Sequence, residues 1–271
     1  MPSTPSRPVP ERATVCEERD PDGVLVLTLN RPRQKNAFNE AMWRDARDAL
    51  RDAQADDAVR AVVVTGVGDA FSAGQDLGEM AGPPGGEGPA FPSFMDRLVG
   101  FDKPLLAAVN GVGVGIGLTM LLHCDVVWIA EGARLRAPFV PLGVVPEAAS
   151  SYLLPLQLGH QRAAELLFTA DWIDASRAVE LGIASRALPA ERLLPELRAL
   201  ASRIAAQPLG ALRWTKRTLI AVRAEGIRAA RAREDAAFRV RVGSPENQEA
   251  IRAFFDKRPP DFRVVPPTDR E

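Results

Sequence analysis

The chain carries two glycine-bearing stretches that decide its fold, FSAGQDL at residues 71–77 and NGVGVGIG at residues 110–117. Each is preceded by an apolar run of the kind that forms a buried strand, at residues 61–65 and 104–109. Glycine lets a backbone approach a ligand closely, and N–H groups left free in such turns can stabilise an oxygen that becomes negative during a reaction. The two stretches therefore predict the two halves of an oxyanion hole.

The segments around these stretches predict an α/β fold. Residues 24–29 predict a strand, and an amphipathic helix that Asn39 caps follows it and runs to about Asp56. The apolar runs at 61–65 and 104–109 then lead to a helix over about 116–122 and a strand over 125–130, which implies right-handed α/β units. Beyond Ser150 the strand signal fades, and helical patterns follow at residues 160–169, 174–181, 191–206, 208–225, 226–242 and 246–256.

The composition excludes several classes of protein. Lysine and arginine number 34 against 35 acidic residues, so no overall field points to nucleic acid or to a membrane surface. No apolar run approaches the roughly 18 residues that span a bilayer. Cys16 and Cys124 form no Cys-x-x-Cys pair, and His123 and His160 have no metal-binding spacing. We therefore expect a soluble, cytoplasmic protein with reduced thiols and no bound metal.

Two segments are too rich in proline or glycine to hold regular structure. Residues 1–13 predict a disordered tail, and they lack the apolar core of a signal peptide. Residues 81–90, AGPPGGEGPA, predict a surface loop. This loop is either a tolerated insertion or a lid over a binding site.

Further short motifs accompany the two turns in a fixed order along the chain. They are NRP at 30–32, NAF at 36–38, KP at 103–104, CD at 124–125, PLG at 141–143, LGI at 181–183 and AFFDKRP at 253–259. In this order the chain, from about Thr14 to Phe262, resembles the crotonase (enoyl-CoA hydratase/isomerase) superfamily. The resemblance implies a crotonase-like fold of repeated ββα units over residues 14–200 and a C-terminal helical lobe over residues 201–271. It also implies a homotrimer or a hexamer built as a dimer of trimers.

The resemblance further implies an acyl-CoA enzyme of fatty-acid metabolism whose coenzyme A is part of the substrate, with no separate cofactor. The carbonyl oxygen of the thioester would accept hydrogen bonds from the backbone N–H groups of Gln75 and Ile116. The family holds the adenine with backbone in the first turn, and Lys257 matches a position that can approach the phosphates of coenzyme A. The candidate contacts with the acyl-CoA are Ala37, Ala73, Gly74, Gln75, Asp76, Leu77, Ile116, Thr119, Phe139 and Lys257.

Other interpretations of the glycines fit the sequence less well. A dinucleotide-binding fingerprint needs Gly-x-Gly-x-x-Gly, and no register of the glycines at 111, 113, 115 and 117 supplies it. The sequence also lacks Gly-Lys-Ser/Thr and the Gly-x-Ser-x-Gly of serine hydrolases. Tight packing of a helix on the sheet remains a good explanation for Gly111 and Gly113, and a weaker one for Gly115 and Gly117.

The resemblance also bears on the reaction. Hydratases of the family carry two catalytic glutamates, and the matching positions here are Thr119 and Phe139, neither of which can act as a carboxylate base. The segment 138–152 instead resembles Δ3,Δ2-enoyl-CoA isomerases of the peroxisomal type, in which one glutamate is the sole base. That glutamate matches Glu147, which is therefore the candidate catalytic residue together with the Gln75 and Ile116 N–H groups.

Three alternatives stay open for Glu147 and for the chain. The glutamate can be an ordinary acid at the start of a helix near Ala148, where the helix dipole stabilises it. The protein can be a hydratase or another crotonase-type enzyme, or a member that binds acyl-CoA without catalysis. One departure from the isomerase pattern is that Ala148 and Ala149 stand where a glycine-containing sequence is usual.

Overall fold

The computed structural model describes residues 12–80 and 90–265 of the chain. Within these ranges the chain forms ten strands and eleven α-helices. The strands are β1 (Val15–Arg19), β2 (Val24–Leu29), β3 (Ala61–Gly66), β4 (Ala70–Ser72), β5 (Leu105–Val109), β6 (Val112–Val114), β7 (Val126–Ala130), β8 (Arg134–Arg136), β9 (Ile173–Asp174) and β10 (Arg186–Leu188). The helices are α1 (Glu40–Ala55), α2 (Leu77–Met80), α3 (Ala90–Val99), α4 (Ile116–Thr119), α5 (Ser150–Leu158), α6 (His160–Thr169), α7 (Ala175–Glu180), α8 (Ala190–Ala205), α9 (Leu209–Ala221), α10 (Ala224–Arg241) and α11 (Pro245–Phe255).

The larger sheet has six strands in the order β1-β2-β3-β5-β7-β10. Its strands run parallel except for β1, which pairs antiparallel with β2. Every residue of β3 and of β5 is buried, because a parallel sheet that is covered on both faces needs apolar side chains at successive positions. This sheet confirms the expected α/β class.

A second, smaller sheet has the order β4-β6-β8-β9. The strands β4, β6 and β8 each follow a strand of the larger sheet after a short connection, which gives the repeated ββα arrangement of the crotonase fold. The first glycine-bearing turn leaves the end of β4, and the second leaves the end of β6. Because β4 and β6 pair in parallel, both turns emerge at the same edge of this sheet.

Helix α1 is fixed at both of its ends. The Asn39 side chain accepts a hydrogen bond from the Met42 N–H at 3.0 Å, as an N-cap does. Near the other end, the buried Lys103 ammonium donates to the carbonyl oxygens of Ala53, Asp56 and Val59 at 2.7–2.8 Å. Burial lowers the pKa of Lys103 to about 8. The lysine thus gives a partner to the Ala53 carbonyl in the last helical turn and ties the helix end to the segment that leads into β3.

The helical segments after residue 150 form where the sequence predicts them, with two differences. Helix α9, expected at 208–225, ends earlier, at Ala221. Helix α10, expected at 226–242, begins earlier, at Ala224. Helix α8 packs on the strands β3, β5 and β7 of the larger sheet. The boundary expected after residue 200 falls inside α8, whose apolar face belongs to the core.

The expected helix over 116–122 is also different in detail. Helix α4 ends at Thr119, and a 3-10 helix over Met120–His123 continues it. The expected loop at residues 81–90 lies outside the described residues except for Ala90, which begins α3, and residues 1–11 of the expected tail lie outside them as well. In the part of the chain that is described, no helix has the length and apolar character needed to cross a membrane.

Candidate active site

The first glycine turn is held against the start of α1. The Phe38 N–H donates to the Gly74 carbonyl oxygen at 2.7 Å, and the Asp76 N–H donates to the Phe38 carbonyl oxygen at 2.8 Å. Gln75 lies between these two bonds. Gly74 has a φ of +95°, and a Cβ added to it would lie 2.8 Å from the Val114 carbonyl oxygen. Glycine is therefore required here both by conformation and by the closeness of the second turn.

The second turn begins at Gly115, whose φ is +54°. Its N–H donates to the Arg136 carbonyl oxygen at 2.9 Å, and its own carbonyl oxygen accepts the N–H groups of Leu118 and Thr119 at 2.9 Å. A Cβ built on Gly115 would lie 3.9 Å from the Gly74 Cα atom, so the two turns pass close to each other. Ile116 follows as the first residue of α4.

The other glycines of the second stretch serve packing. A Cβ would lie 2.1 Å from the Asp69 carbonyl oxygen at Gly111 and 2.7 Å from Leu135 Cδ2 at Gly113. At Gly117 it would lie 2.5 Å from the Ser72 carbonyl oxygen. Gly117 therefore belongs with the packing glycines, although packing is the weaker explanation for it on sequence grounds.

The N–H groups of Gln75 and Ile116 stand where the two turns pass close to each other. Neither donates a hydrogen bond within residues 12–80 and 90–265. Ile116 is the first residue of α4, where a helix leaves its N–H groups without a partner in the helix, and Gln75 lies in the turn after β4. Both N–H groups are therefore available to an oxygen atom of a ligand.

The carboxyl group of Glu147 lies close to the second turn. Its Oε1 atom accepts a hydrogen bond from Thr119 Oγ1 at 2.6 Å, and Thr119 is the last residue of α4, which starts at Ile116. The residue as a whole is half-buried, whereas its Oε2 atom has no contact with solvent and no partner among the described residues. Burial, together with the nearby charges of Glu234 and Asp235, raises the pKa of Glu147 to about 8, against the opposing effect of the Thr119 bond.

Comparison with known proteins identifies the family to which this site belongs. Residues 19–264 match the sequence profile described as Enoyl-CoA hydratase/isomerase. The chain belongs to the enoyl-CoA hydratase/isomerase family. It is thus an enzyme of a family that acts on acyl-CoA thioesters.

Similar proteins carry the names of both reactions. The 2,3-dehydroadipyl-CoA hydratase of Escherichia coli K12 is 35% identical over 242 residues, which cover 89% of this chain and 95% of that protein. Enoyl-CoA delta isomerase 2 of Rattus norvegicus is 33% identical over 244 residues, which cover 88% of this chain and 62% of that protein. The crystal structure of an enoyl-CoA hydratase/isomerase from Pseudoalteromonas atlantica T6c has a TM-score of 0.89 at 37% identity, covering 92% of this chain and 100% of that chain.

Arg31 organises the first turn of this hydratase/isomerase family member. Its guanidinium donates to the Ala37 carbonyl oxygen at 2.5 Å and pairs with Asp76 Oδ2 at 3.0 Å. The other oxygen of Asp76 accepts the Gly78 N–H at 3.1 Å. Asp76 therefore orders its own turn, and Ala37 is fixed beside it. Arg31 stands in the NRP motif, and nothing in the motif itself assigns it this role.

The remaining predicted contact residues lie in three places. Ala73 donates its N–H to the Lys35 carbonyl oxygen at 2.8 Å. Leu77 begins the short helix α2. Phe139 is buried, and its carbonyl oxygen accepts the N–H groups of Leu142 and Val144, which closes the loop before Glu147. Lys257 is exposed past the end of α11, and its Nζ atom has no hydrogen bond or ion pair within the described residues.

The turn that follows Glu147 consists of two alanines in a left-handed conformation. Ala148 has a φ of +58° and Ala149 a φ of +59°, and both are buried. Helix α5 starts directly after them, close to the position expected from sequence. The side chains of His123 and Glu234 form hydrogen bonds to this turn.

Sequence reasoning missed Glu234, although a signal for it exists. The buried positions of α10 are Ile227, Ala230 and Glu234, three and four residues apart, so the acid stands on the apolar face of its helix. An acid at such a position needs a buried hydrogen-bond partner. No group of three or more His, Cys, Asp or Glu side chains within the described ranges is placed to bind a metal.

Proposed function

We propose that the protein is a Δ3,Δ2-enoyl-CoA isomerase in which Glu147 serves as both base and acid. The observation that carries this proposal is the Glu147 carboxyl, which is desolvated, has a pKa of about 8 and has an unpartnered Oε2 atom beside the second turn. A pKa near neutrality suits a group that must take up a proton and then release it. Thr119 and Phe139, at the positions of the two hydratase glutamates, are the second support.

The proposed reaction begins with the thioester carbonyl oxygen accepting hydrogen bonds from the Gln75 and Ile116 N–H groups. Glu147 Oε2 removes a proton from C2 of the 3-enoyl thioester. The electrons of that C–H bond form a C1–C2 double bond as the carbonyl π electrons move onto the oxygen, which gives a dienolate, and the C2–C3 double bond of the product forms when C4 is protonated. The two N–H donors stabilise the negative charge on the dienolate oxygen. Glu147 then returns the proton to C4. A proton shift of this kind needs no metal and no redox cofactor.

Thr119 has a positioning role in this proposal. Its hydroxyl donates to Oε1 of Glu147, so that atom is occupied and Oε2 is the one available to the substrate. Thr119 also stands one helical turn after Ile116, which links the base to one of the two donors through four residues of backbone. The carboxyl is therefore held at a fixed distance from the thioester oxygen.

Hydration of a 2-enoyl-CoA is the second candidate function, because the relative from Escherichia coli is named a hydratase. That reaction needs a carboxylate to activate water. The two positions that carry the catalytic glutamates of hydratases hold Thr119 and Phe139 here, so Glu147 alone would have to activate the water. This requirement is why isomerisation is the favoured proposal.

The proposal includes a homotrimer, or a hexamer built from trimers, in the cytoplasm. Helices α9 and α11 and the residue after α9 expose large apolar side chains, as surfaces between subunits do. These side chains are Trp214, Leu219, Val222, Phe254 and Phe255. The free thiols of Cys16 and Cys124 support a reducing compartment.

The deciding experiment incubates the enzyme separately with a 3-enoyl-CoA and a 2-enoyl-CoA and follows the products by chromatography. The proposal expects conversion of the first to the 2-enoyl product, and no hydration of the second. Glu147→Gln should lower kcat by about 10²–10⁴. Hydration of the 2-enoyl-CoA without isomerisation of the 3-enoyl-CoA would overturn the proposal, as would full isomerase activity in Glu147→Gln.

A further inference from the structure

We propose that Glu234 and His123 are positioning residues that hold the turn of Ala148 and Ala149, and thereby fix the place and the charge state of the Glu147 carboxyl. The catalytic part of this inference rests on the proposed function of Glu147. The structural part stands on its own contacts. We call residues 148 and 149 the two-alanine turn.

The two-alanine turn is a conformation that the chain does not adopt without support. Two successive residues with φ near +58° are both alanine, which has a Cβ that disfavours this region. Each alanine is at most 3% exposed, so the turn is enclosed by the rest of the protein. A strained conformation of this kind persists only where its surroundings over-determine it.

Glu234 supplies the first part of that support. Its Oε2 atom accepts the Ala149 N–H at 2.7 Å, and its Oε1 atom accepts the Ser151 N–H at 2.8 Å. The side chain is 5% exposed, and no cation pairs with it within residues 12–80 and 90–265. A buried carboxylate without an ion pair is costly, and its two oxygens are used on the two-alanine turn and on the first turn of α5 that follows it. Holding the turn is therefore the role that its contacts support.

His123 supplies the second part from another element. Its Nε2 atom lies 2.8 Å from the Ala148 carbonyl oxygen, and because a carbonyl only accepts, Nε2 must carry the hydrogen. Burial lowers the pKa of His123 to about 4, so the ring stays neutral near pH 7 and this donor is retained. His123 ends the 3-10 helix that continues α4. The Glu147 region is thus joined to the segment of Ile116 twice, through Thr119 and through His123.

The same arrangement also places charged groups near Glu147 and His123, and these change the pKa values of both. Glu147 is faced by the acids Glu234 and Asp235 of α10, and burial together with these charges raises its pKa. Burial raises the pKa of Glu234, and the hydrogen bonds that its two oxygens accept from the Ala149 and Ser151 N–H groups oppose that rise. The cations that face His123 are Arg223, Arg231 and Lys216, and they oppose its protonation. Glu234 therefore acts on Glu147 by geometry and by charge.

The test compares Glu234→Gln with Glu225→Gln, a matched variant that removes the same charge from an exposed position of the same helix. The glutamine amide has one acceptor oxygen, so one of the two N–H groups loses its partner. We expect kcat for the 3-enoyl-CoA to fall about 10- to 100-fold with KM little changed, because the substrate-binding turns are untouched. Glu225→Gln should leave both constants as in the wild type.

The direct readout is the titration of Glu147, followed by ¹³C NMR of protein labelled at glutamate carboxyls. The signal of Glu147 is identified by its loss in Glu147→Gln. In Glu234→Gln its midpoint should move to lower pH, and in Glu225→Gln it should stay in place. A folded Glu234→Gln protein with wild-type kcat and an unmoved midpoint would overturn the inference. So would an equal shift in Glu225→Gln.

A second variant covers the case in which Glu234→Gln does not fold. His123→Phe removes the donor to Ala148 without changing the charge of a neutral ring. It should lower kcat with KM retained, and unchanged kcat would overturn the inference. The NMR titration separates this inference from the proposed function. A wild type without isomerase activity refutes the function, whereas the midpoint of Glu147 in Glu234→Gln still reports on the positioning.

Discussion

The two glycine turns and the two-alanine turn both adopt positive φ values, by different means. Gly74 and Gly115 have positive φ values, and at Gly74 the missing side chain also makes room for the neighbouring turn. Ala148 and Ala149 have similar φ values but keep their Cβ atoms, and buried side chains hold them in place. The proposed donors are thus placed by close backbone packing, and the proposed base is placed by side-chain hydrogen bonds.

Because of this difference, we expect the two regions to tolerate substitutions differently. A Cβ added at Gly74 would lie 2.8 Å from the Val114 carbonyl oxygen, so there is no room for even one added carbon atom. A turn that is held by side chains can be loosened in steps, by removing one hydrogen bond at a time. We therefore expect abrupt losses from changes at the donors and graded losses from changes around the base.

The largest effect is expected from Gly74→Ala. The added Cβ would meet the Val114 carbonyl oxygen at 2.8 Å, so the two turns must separate and the Gln75 and Ile116 N–H groups lose their alignment. Loss of one such donor typically lowers kcat by about 10²–10³, and we expect a fall of this size in the isomerase assay.

Gly68→Ala is the matched control for that change. Gly68 has a φ of +76°, but a Cβ there has nothing within 4 Å. Both substitutions carry the cost of a left-handed alanine, about 1–2 kcal/mol, in their free energies of unfolding. Only Gly74→Ala should lose activity. Equal activity in the two variants would contradict the close approach of the turns.

The next effect is expected from Thr119→Val, which removes the hydroxyl and keeps the shape. The hydrogen bond from Thr119 lowers the pKa of Glu147, so its loss raises that pKa further. Because the base must be ionised, the acid limb of the kcat/KM profile should move to higher pH. A hydrogen bond to a charged group is worth about 1.5–3 kcal/mol, so activity near pH 7 should fall at least about 10-fold.

The check is a pH–rate profile of wild type and Thr119→Val with the 3-enoyl-CoA. Thr119→Ser keeps the hydroxyl and should restore most of the wild-type profile. A profile in Thr119→Val that moves to lower pH would mean that the hydroxyl does not stabilise the ionised carboxyl.

The four central strands of the larger sheet and most helices could be predicted because apolar or amphipathic runs encode them. The edge strands β1 and β10 were not predicted, because β1 has three charged residues and β10 is only three residues long. The strands at 24–29 and 61–66 and the helix capped by Asn39 are examples. The second sheet could not be predicted, because β4, β6 and β8 have three residues each and no periodicity can be measured over so few. The closeness of the two glycine turns depends on the pairing of β4 with β6, so it could not be predicted from the sequence for the same reason.

The candidate site could be predicted from the sequence only where it is local, and the roles of its residues stay predictions. Gln75 and Ile116 follow from the glycine turns and the family resemblance, and Glu147 follows from the segment around it. Glu234 lies 85 residues from the Ala149 N–H that it accepts, and no pattern within α10 names that partner. A residue such as Glu234, which binds the residues that follow Glu147 in the chain, can be identified only from the three-dimensional structure.

A smaller effect is expected from Glu147 on how the free energy of unfolding depends on pH. The pKa of Glu147 is raised to about 8 from an ordinary value of 4.5, so the folded state holds this proton more tightly than the unfolded state. Its contribution is most favourable below pH 4.5 and is lost as the pH rises through about 8. Glu147→Gln cannot ionise and avoids that loss.

Thermal unfolding of the two proteins checks this prediction. The Tm of Glu147→Gln minus that of wild type should increase from pH 5 to pH 8, by about 2–4 °C for each kcal/mol of change in the free energy of unfolding. Glu225→Gln, which changes an exposed acid, should follow the wild type at both pH values. A Tm difference between Glu147→Gln and wild type that does not change with pH would mean that the carboxyl is not desolvated in the folded protein.

The smallest effect is expected from Ala149→Gly, which places glycine where the chain already has a left-handed residue. Relief of the φ value gains about 1–2 kcal/mol. The loss of a buried methyl group costs about 0.8 kcal/mol, and the freer unfolded chain costs about 0.4–1 kcal/mol. These terms nearly cancel, so the free energy of unfolding from urea titration should change by less than about 1 kcal/mol, with kcat retained. A large loss of kcat would mean that the Ala149 methyl group, in addition to the hydrogen bonds of Glu234 and His123, holds the base in place.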